Sequence, residues 1–277
     1  MNTPLYDIAN LQCSKLVTNL YSTSFSLGIK SLHKKFRLPI YAIYGFVRYA
    51  DEIVDTFHDK DKSLLLKEFK AETYLAIERG ISLNPILHSF QLVVNEYKIE
   101  KELTEAFLYS MEVDLSQTEH SDNSYQIYIY GSAEVVGLMC LRVFCEGNEA
   151  QYQHLKPFAQ KLGAAFQKVN FLRDVKSDFQ ERGRTYFPNV NFTHFTTQAK
   201  KQIEDDIQSD FDEAYKGIVQ LPIGARFGVY LAYIYYKSLF KKIKSLPIST
   251  IQNTRVRIPN EEKFWLFLQS WFKYRFI

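Results

Sequence analysis

Apolar side chains recur along most of this chain at three- and four-residue intervals, the period of a helix that buries one face. The runs predict helices over residues 5–27, 37–58, 62–79, 85–97, 101–116, 122–146, 149–179, 198–219, 225–245 and 260–275. Strand-like alternation is nearly absent. The breaks are short, as at Gly80-Ile81-Ser82-Leu83-Asn84-Pro85 and Gly183-Arg184-Thr185-Tyr186-Phe187-Pro188-Asn189. Only 11 Gly and 8 Pro in 277 residues leave little to interrupt the helices. No Gly-rich linker, internal repeat or low-complexity tract divides the chain. A single all-α domain over residues 1–277 is the expectation.

Two of these helices are apolar almost all round and keep their charge on a narrow line. From Ile40 to Phe57 only Arg48, Asp51, Glu52 and Asp55 are charged. Tyr44, Arg48, Asp51 and Asp55 fall at i, i+4, i+7 and i+11, one stripe of a helix. Gln167, Asn170, Asp174 and Asp178 repeat the design at i, i+3, i+7 and i+11, with Arg173 beside them. Lys161 and Lys168, seven apart, read as the wet side of that second helix. Helices of this kind are mostly buried, and buried carboxylates need partners. Arg48 serves one of them, or a metal serves both. Two i, i+4 carboxylate pairs facing each other suit a hard divalent cation, Mg²⁺ above all, bridging to phosphate oxygens. A lone Asp-x-x-x-Asp is commonly a solvated face. Two copies on apolar helices, each with an arginine nearby, point instead to chemistry on a diphosphate.

Composition narrows the rest. Hydrophobic residues are 46% of the chain, enough for a sizeable core. The 22 Phe and 19 Tyr suit an enclosed apolar pocket as well as that core. A net charge of +3, spread without a basic run, gives no case for nucleic acid. The three cysteines, Cys13, Cys140 and Cys145, match no zinc spacing and read as reduced, buried thiols in a cytoplasmic protein. No secretory signal is expected from Met1 to Lys15. No apolar run is expected to reach transmembrane length, and the best candidate, Phe227 to Tyr236, is too short. There is no dinucleotide fingerprint, phosphate-binding P-loop or nucleophile elbow, and the six histidines form no ligand pair.

The residues that carry the acidic motifs also carry a resemblance. Ser22-Thr23-Ser24-Phe25-Ser26, the run Pro39 to Asp55 and Tyr130-Gly131-Ser132-Ala133-Glu134-Val135-Val136-Gly137 are three parts of it. The most specific are Gly163 to Asp178, with its N-x-x-R-D-x-x-x-D core, and Gly183-Arg184-Thr185-Tyr186-Phe187-Pro188. In order and spacing the chain resembles the squalene/phytoene synthase family from about residue 13 to 260, and within it the bacterial phytoene synthases. The resemblance implies an all-α isoprenoid synthase fold around a central apolar cavity. It implies head-to-head joining of two allylic diphosphates, through a cyclopropylcarbinyl diphosphate, to phytoene in carotenoid biosynthesis. Mg²⁺, with Mn²⁺ as an alternative, then assists diphosphate ionisation, while apolar walls keep water from the cations. No NADPH is expected for that product.

Residue by residue, Asp51 and Asp55 match the family's first acidic motif and Asp174 and Asp178 the second, with Asn170 among the metal ligands. Arg48 and Tyr44 match catalytic positions. Ser22, Ser24, Tyr130, Gln167, Arg173, Tyr235 and Arg255 match positions around the diphosphates. Without the family, Tyr44, Tyr130 and Tyr235 read as core tyrosines, Ser22 and Ser24 as helix caps, and Arg255 and Arg257 as surface charges. Glu112 and Asp114 read as solvated and are left out of the site. Glu134 stands where the family commonly has glycine, and is expected to narrow the cavity or move Tyr130. The C-terminal stretch Phe264 to Arg275 either docks on a membrane surface, at the inner face, or packs on the domain. A squalene or dehydrosqualene synthase using farnesyl diphosphate is the near alternative, and a non-catalytic helical assembly factor the distant one.

Overall fold

The computed structural model of the chain describes residues 4–117, 120–181, 183–188, 190 and 195–275. Asn189, in the second predicted break, lies outside them. The described residues form α1 (Pro4–Tyr21), α2 (Thr23–Lys30), α3 (Lys34–Asp55), α4 (Lys62–Arg79), α5 (Pro85–Tyr97), α6 (Lys101–Ser116) and α7 (Asp122–Ile129). They continue through α8 (Val135–Cys145), α9 (Glu149–Val175), α10 (Thr197–Ile218), α11 (Ile223–Ser245), α12 (Ile248–Asn253) and α13 (Asn260–Tyr274). No β-strand occurs among the described residues.

Where the predicted helices differ from these, local chemistry explains it. The run 5–27 is two helices, because Ser22 takes an extended backbone and accepts a hydrogen bond from Phe25 N at 3.1 Å, capping α2. The runs 122–146 and 149–179 are each interrupted by a turn of π-helix, at Tyr130–Glu134 and Lys176–Glu181. The rod Asp122–Cys145 is long and apolar enough to cross a membrane by length and composition, which the sequence reading did not anticipate. Val135, Leu138, Met139 and Val143 on that rod are fully buried, so it serves as a core helix.

Two apolar clusters make the core. One centres on α3, where the Phe46 ring stacks on Phe90 at 3.8 Å and lies 5.4 Å from Phe107. The other joins α9, α10 and α11 through Phe211, Phe240 and Leu172. Val229 packs against both. α1 is inverted relative to an ordinary surface helix. It turns Asn10, Ser14 and Thr18 inward, so that Ser14 lies against Gly45 of α3, and leaves Leu5, Leu16 and Leu20 outside.

The outer side of α9 is wet only in part, for Lys161 is exposed as expected and Lys168 is not. Lys168 is buried, its Nζ 2.5 Å from Asp206 and 2.7 Å from the buried Asp210 of α10. Lys161 reaches the same Asp210 at 2.8 Å. The period of α9 marks a polar face correctly, and at Lys168 that face meets a second polar helix instead of solvent. The cysteines are free, and burial pushes the Cys140 and Cys145 thiols up to about 12 and about 11.

Phe46 anchors the first cluster with no exposed surface. Phe46→Ala is expected to cost about 3–5 kcal/mol of unfolding free energy, measured by chemical denaturation, because the stack leaves a cavity that neighbouring rings cannot fill.

Candidate active site in an apolar cavity

The helices enclose one large cavity of about 1280 Å³. Its wall includes α2, α3, α8, α9 and α11. The acids of α3 and α9 lie near the C-terminal ends of those helices, while Ile40 and Leu155 line the cavity near their N-terminal ends. The far end is closed by packing such as Phe36 of α3 against Phe144 of α8, ring centroids 5.5 Å apart. The cavity therefore carries its charge at the mouth and is apolar at the floor.

Of the predicted site residues, the wall includes Ser22, Ser24, Tyr44, Arg48, Asp51, Asp55, Gln167, Asn170, Arg173, Asp174, Asp178, Tyr235 and Arg255. The two acidic pairs thus share one space, as the stripes required. On the first motif, Arg48 is paired with Glu52, and its Nη1 stands 3.9 Å from Asp51 Oδ2. Arg48 also covers the Tyr21 ring at 4.5 Å. On the second, Asp174 takes Arg173 Nε at 3.0 Å and Arg255 Nε at 2.8 Å. Tyr236 donates to Asn170 Oδ1 at 3.2 Å, and Asn170 donates to Gln167 Oε1 at 3.3 Å.

Tyr130 is a correction, since it does not line the cavity and packs on the first core cluster. Residues two apart on a helix point to nearly opposite sides, and here Tyr128 faces the cavity. The π-turn beginning at Tyr130 is pressed onto α6, where a side chain at Gly131 would meet the Ala106 carbonyl at 2.5 Å. Glu134 does not narrow the cavity either. It accepts from Gln160 Nε2 at 2.8 Å, off the cavity wall. Tyr235 lines the cavity, but its hydroxyl donates to the Lys263 carbonyl at 3.0 Å, so it braces α13.

Four site residues were missed. Asp114, read as solvated, lines the cavity and accepts from Tyr128 at 2.7 Å and Tyr186 at 3.3 Å. Arg184 donates to Asp55 at 3.1 Å, so the loop after α9 folds back onto the first motif. The loop's Tyr186 was legible as part of a quoted motif, whereas Asp114 showed only as a partner of Met111 at i+3 on one helix face.

Burial pushes Asp51 up to about 7, with Arg48 opposing and Asp55 and Asp114 reinforcing the shift. About a third of its side-chain surface stays open (34%), onto the cavity. Burial likewise lifts Asp114 to about 6, against Arg184. Tyr44 rises to about 12 by burial, which keeps it a neutral donor. Burial outweighs the arginines at Asp51 and Asp114, and the neighbouring acids add to the rise, so the cavity fits added positive charge. Among the described residues, no three His, Cys, Asp or Glu side chains lie close enough to hold a metal alone. This donor set suits Mg²⁺ held by one or two carboxylates, with the remaining ligands from phosphate and water.

Residues 18–262 match the squalene/phytoene synthase family model. The chain belongs to the squalene/phytoene synthase family. Among its relatives, a 4,4'-diapophytoene synthase of Staphylococcus haemolyticus is 26% identical over 204 residues, 73% of this chain and 70% of the relative. A phytoene synthase of Arthrospira platensis is 23% identical over 95% of this chain and 93% of its own length. Against chloroplastic phytoene synthase 1 of Solanum lycopersicum the identity is 24%, over 81% of this chain and 59% of the longer relative. A crystal structure of a dehydrosqualene synthase superposes with a TM-score of 0.82 at 20% identity, covering 98% of both chains. Squalene synthase HpnC from Alicyclobacillus acidocaldarius gives 0.75 at 17%, over 87% of this chain and 95% of that one. These structures share the all-α isoprenoid synthase fold. Members of the family carry out head-to-head prenyl condensation with a divalent metal.

Asp51→Ala and Asp174→Ala are each expected to lower turnover at least about 100-fold, with unchanged far-UV circular dichroism. Near-normal turnover in both would remove the acids from the chemistry. Asp51 also links stability to pH. Its folded value lies above its ordinary one, so its favourable contribution is full below about pH 4 and is lost as pH rises through about 7. In thermal melts without metal, Asp51→Asn should match wild type near pH 4 and melt a few degrees higher at pH 8. A difference independent of pH would contradict that environment for Asp51.

Proposed function

We propose that this chain joins two geranylgeranyl diphosphates head to head to give phytoene, in the cytoplasm, with Mg²⁺ and without NADPH. The observation that carries the chain length is the distance from acids to floor. On α3, Asp51 and Asp55 stand eleven and fifteen residues from Ile40, about 16–22 Å along the helix. On α9, Asp174 stands nineteen residues from Leu155, about 28 Å. An extended chain advances roughly 1.2 Å per bond, so geranylgeranyl reaches about 19 Å and farnesyl about 14 Å. Both spans exceed the farnesyl length, and that supports the longer chain.

The side chains at the mouth divide the work by charge. Arg48, Arg173, Arg184 and Arg255 each rest near a carboxylate, and each offers a planar fork to diphosphate oxygens. Bound Mg²⁺ would neutralise the leaving group and lower the barrier to C–O ionisation. Turned from the carboxylates, the arginines would hold the departing diphosphate, and Tyr44, kept neutral by burial, lies on the same wall. Below the mouth, Phe25 lies 5.7 Å from Tyr44, and Phe166 stacks on Tyr236 at 3.9 Å. Such faces stabilise an allylic cation and exclude water from it.

The test is incubation of purified protein with Mg²⁺ and either geranylgeranyl or farnesyl diphosphate, with and without NADPH, and identification of the product by mass spectrometry. Phytoene from the longer substrate without NADPH is the expected result. Product from farnesyl diphosphate alone would move the protein to the squalene or dehydrosqualene branch, NADPH dependence deciding which. No product from either substrate would favour a non-catalytic role.

A further inference from the structure

Among the described residues, two exposed apolar faces run from the rim of the cavity. On α13, Phe264, Trp265 and Phe272 are 58%, 62% and 58% exposed and Trp271 is 41% exposed. At 3.6 residues per turn these four fall within an arc of about 120°, together with Arg275, whose guanidinium covers the Trp271 ring at 4.3 Å. On α1, the exposed Leu5, Ile8, Leu16 and Leu20 occupy an arc of similar width, about 120°. The first turn of α13 and the end of α1 both line the mouth, through Asn260, Lys263, Leu20 and Tyr21. Lys263 Nζ, 2.6 Å from Thr23 Oγ1, ties the first turn of α13 to the start of α2, the helix that follows α1.

We propose that these two faces form a collar that seats the cavity mouth on an anionic lipid bilayer. The side-chain chemistry selects this occupant. Tryptophan and phenylalanine backed by cations are the composition of helices that lie in the membrane interface. Lys273 in the last turn of α13 and Arg275 just after it place positive charge at that end, and Lys15 lies at the edge of the α1 stripe; Glu261, in the first turn beside the mouth, is the exposed acid within the α13 arc. The collar touches the opening, at the end of α1 and the first turn of α13, of a cavity whose substrate and product, on the reading above, are lipophilic. That reading supplies the purpose of the contact. The geometry stands without it.

The full-length chain contains two tryptophans, and both lie on α13, so tryptophan emission reports on this helix alone. Without substrate, vesicles of equimolar phosphatidylcholine and phosphatidylglycerol are expected to shift that emission to the blue and to sediment the protein. Vesicles of phosphatidylcholine alone should bind it more weakly, by roughly fivefold per contributing cation. Phe264→Ser with Trp265→Ser, which keeps Trp271 as reporter, should weaken partitioning at least about tenfold at unchanged helicity. Lys273→Glu with Arg275→Glu should abolish the preference for the anionic vesicles. Absence of both blue shift and sedimentation with either vesicle would overturn the proposal. So would a blue shift that rises with protein concentration in the absence of lipid, accompanied by a dimer in analytical ultracentrifugation, which would assign the collar to a second copy of the chain. Because no turnover is measured, failure here is separable from failure of the prenyl-diphosphate reading, which the product assay tests alone.

Discussion

Withdrawing a carboxylate from water costs several times what one apolar contact returns, and Asp51, Asp55, Asp114, Asp174 and Asp178 all stand on the wall of one cavity. Without compensation that arrangement resists folding. Arginines drawn from distant parts of the chain supply part of it. Arg48 lies on the same helix as the first pair, but Arg184 crosses 129 positions to reach Asp55. Arg255 arrives after α12 to meet Asp174. The loop after α9 and the segment before α13 are held over the mouth by these contacts. Burial raises Asp51 and Asp114 in spite of Arg48 and Arg184, so added positive charge at the mouth would lower both.

The rest of the architecture keeps that charge at one end. Because the acids sit near the C-terminal ends of both α3 and α9, their N-terminal halves are free to build an apolar barrel closed by Phe36 and Phe144. On the proposed reading, ionisation at the mouth would take place beside aromatic faces. The polar side of α9 is turned away and locked onto α10 by Lys168 and Asp210. Replacing that buried pair by one of its members would strand a charge, so it fixes the rotation of α9 and with it the direction of Asn170 and Asp174. The same polarity carries to the surface, where α13 and α1 bring their exposed apolar faces to the rim.

Local pattern determined much of this protein. Helical period located nearly every helix, and the stripes Tyr44 to Asp55 and Gln167 to Asp178 announced carboxylates on apolar helices, because spacing on a helix is enough to say which side chains share a face. The specific motifs carried the family. Pattern did not determine what each face meets. Lys168 has the spacing of a wet residue and is buried against α10, and Asp114 has the look of a solvated acid and lines the cavity. Tyr130 carries the motif resemblance while Tyr128, two residues earlier, faces the site. Arg184 sits in a legible motif whose target, Asp55, no local rule could name. Those outcomes depend on a π-turn, a folded-back loop and the packing of helices far apart in sequence. A single helix specifies the relative directions of its own side chains, and only the assembled fold specifies whether a given direction points to water, to a partner or into the cavity.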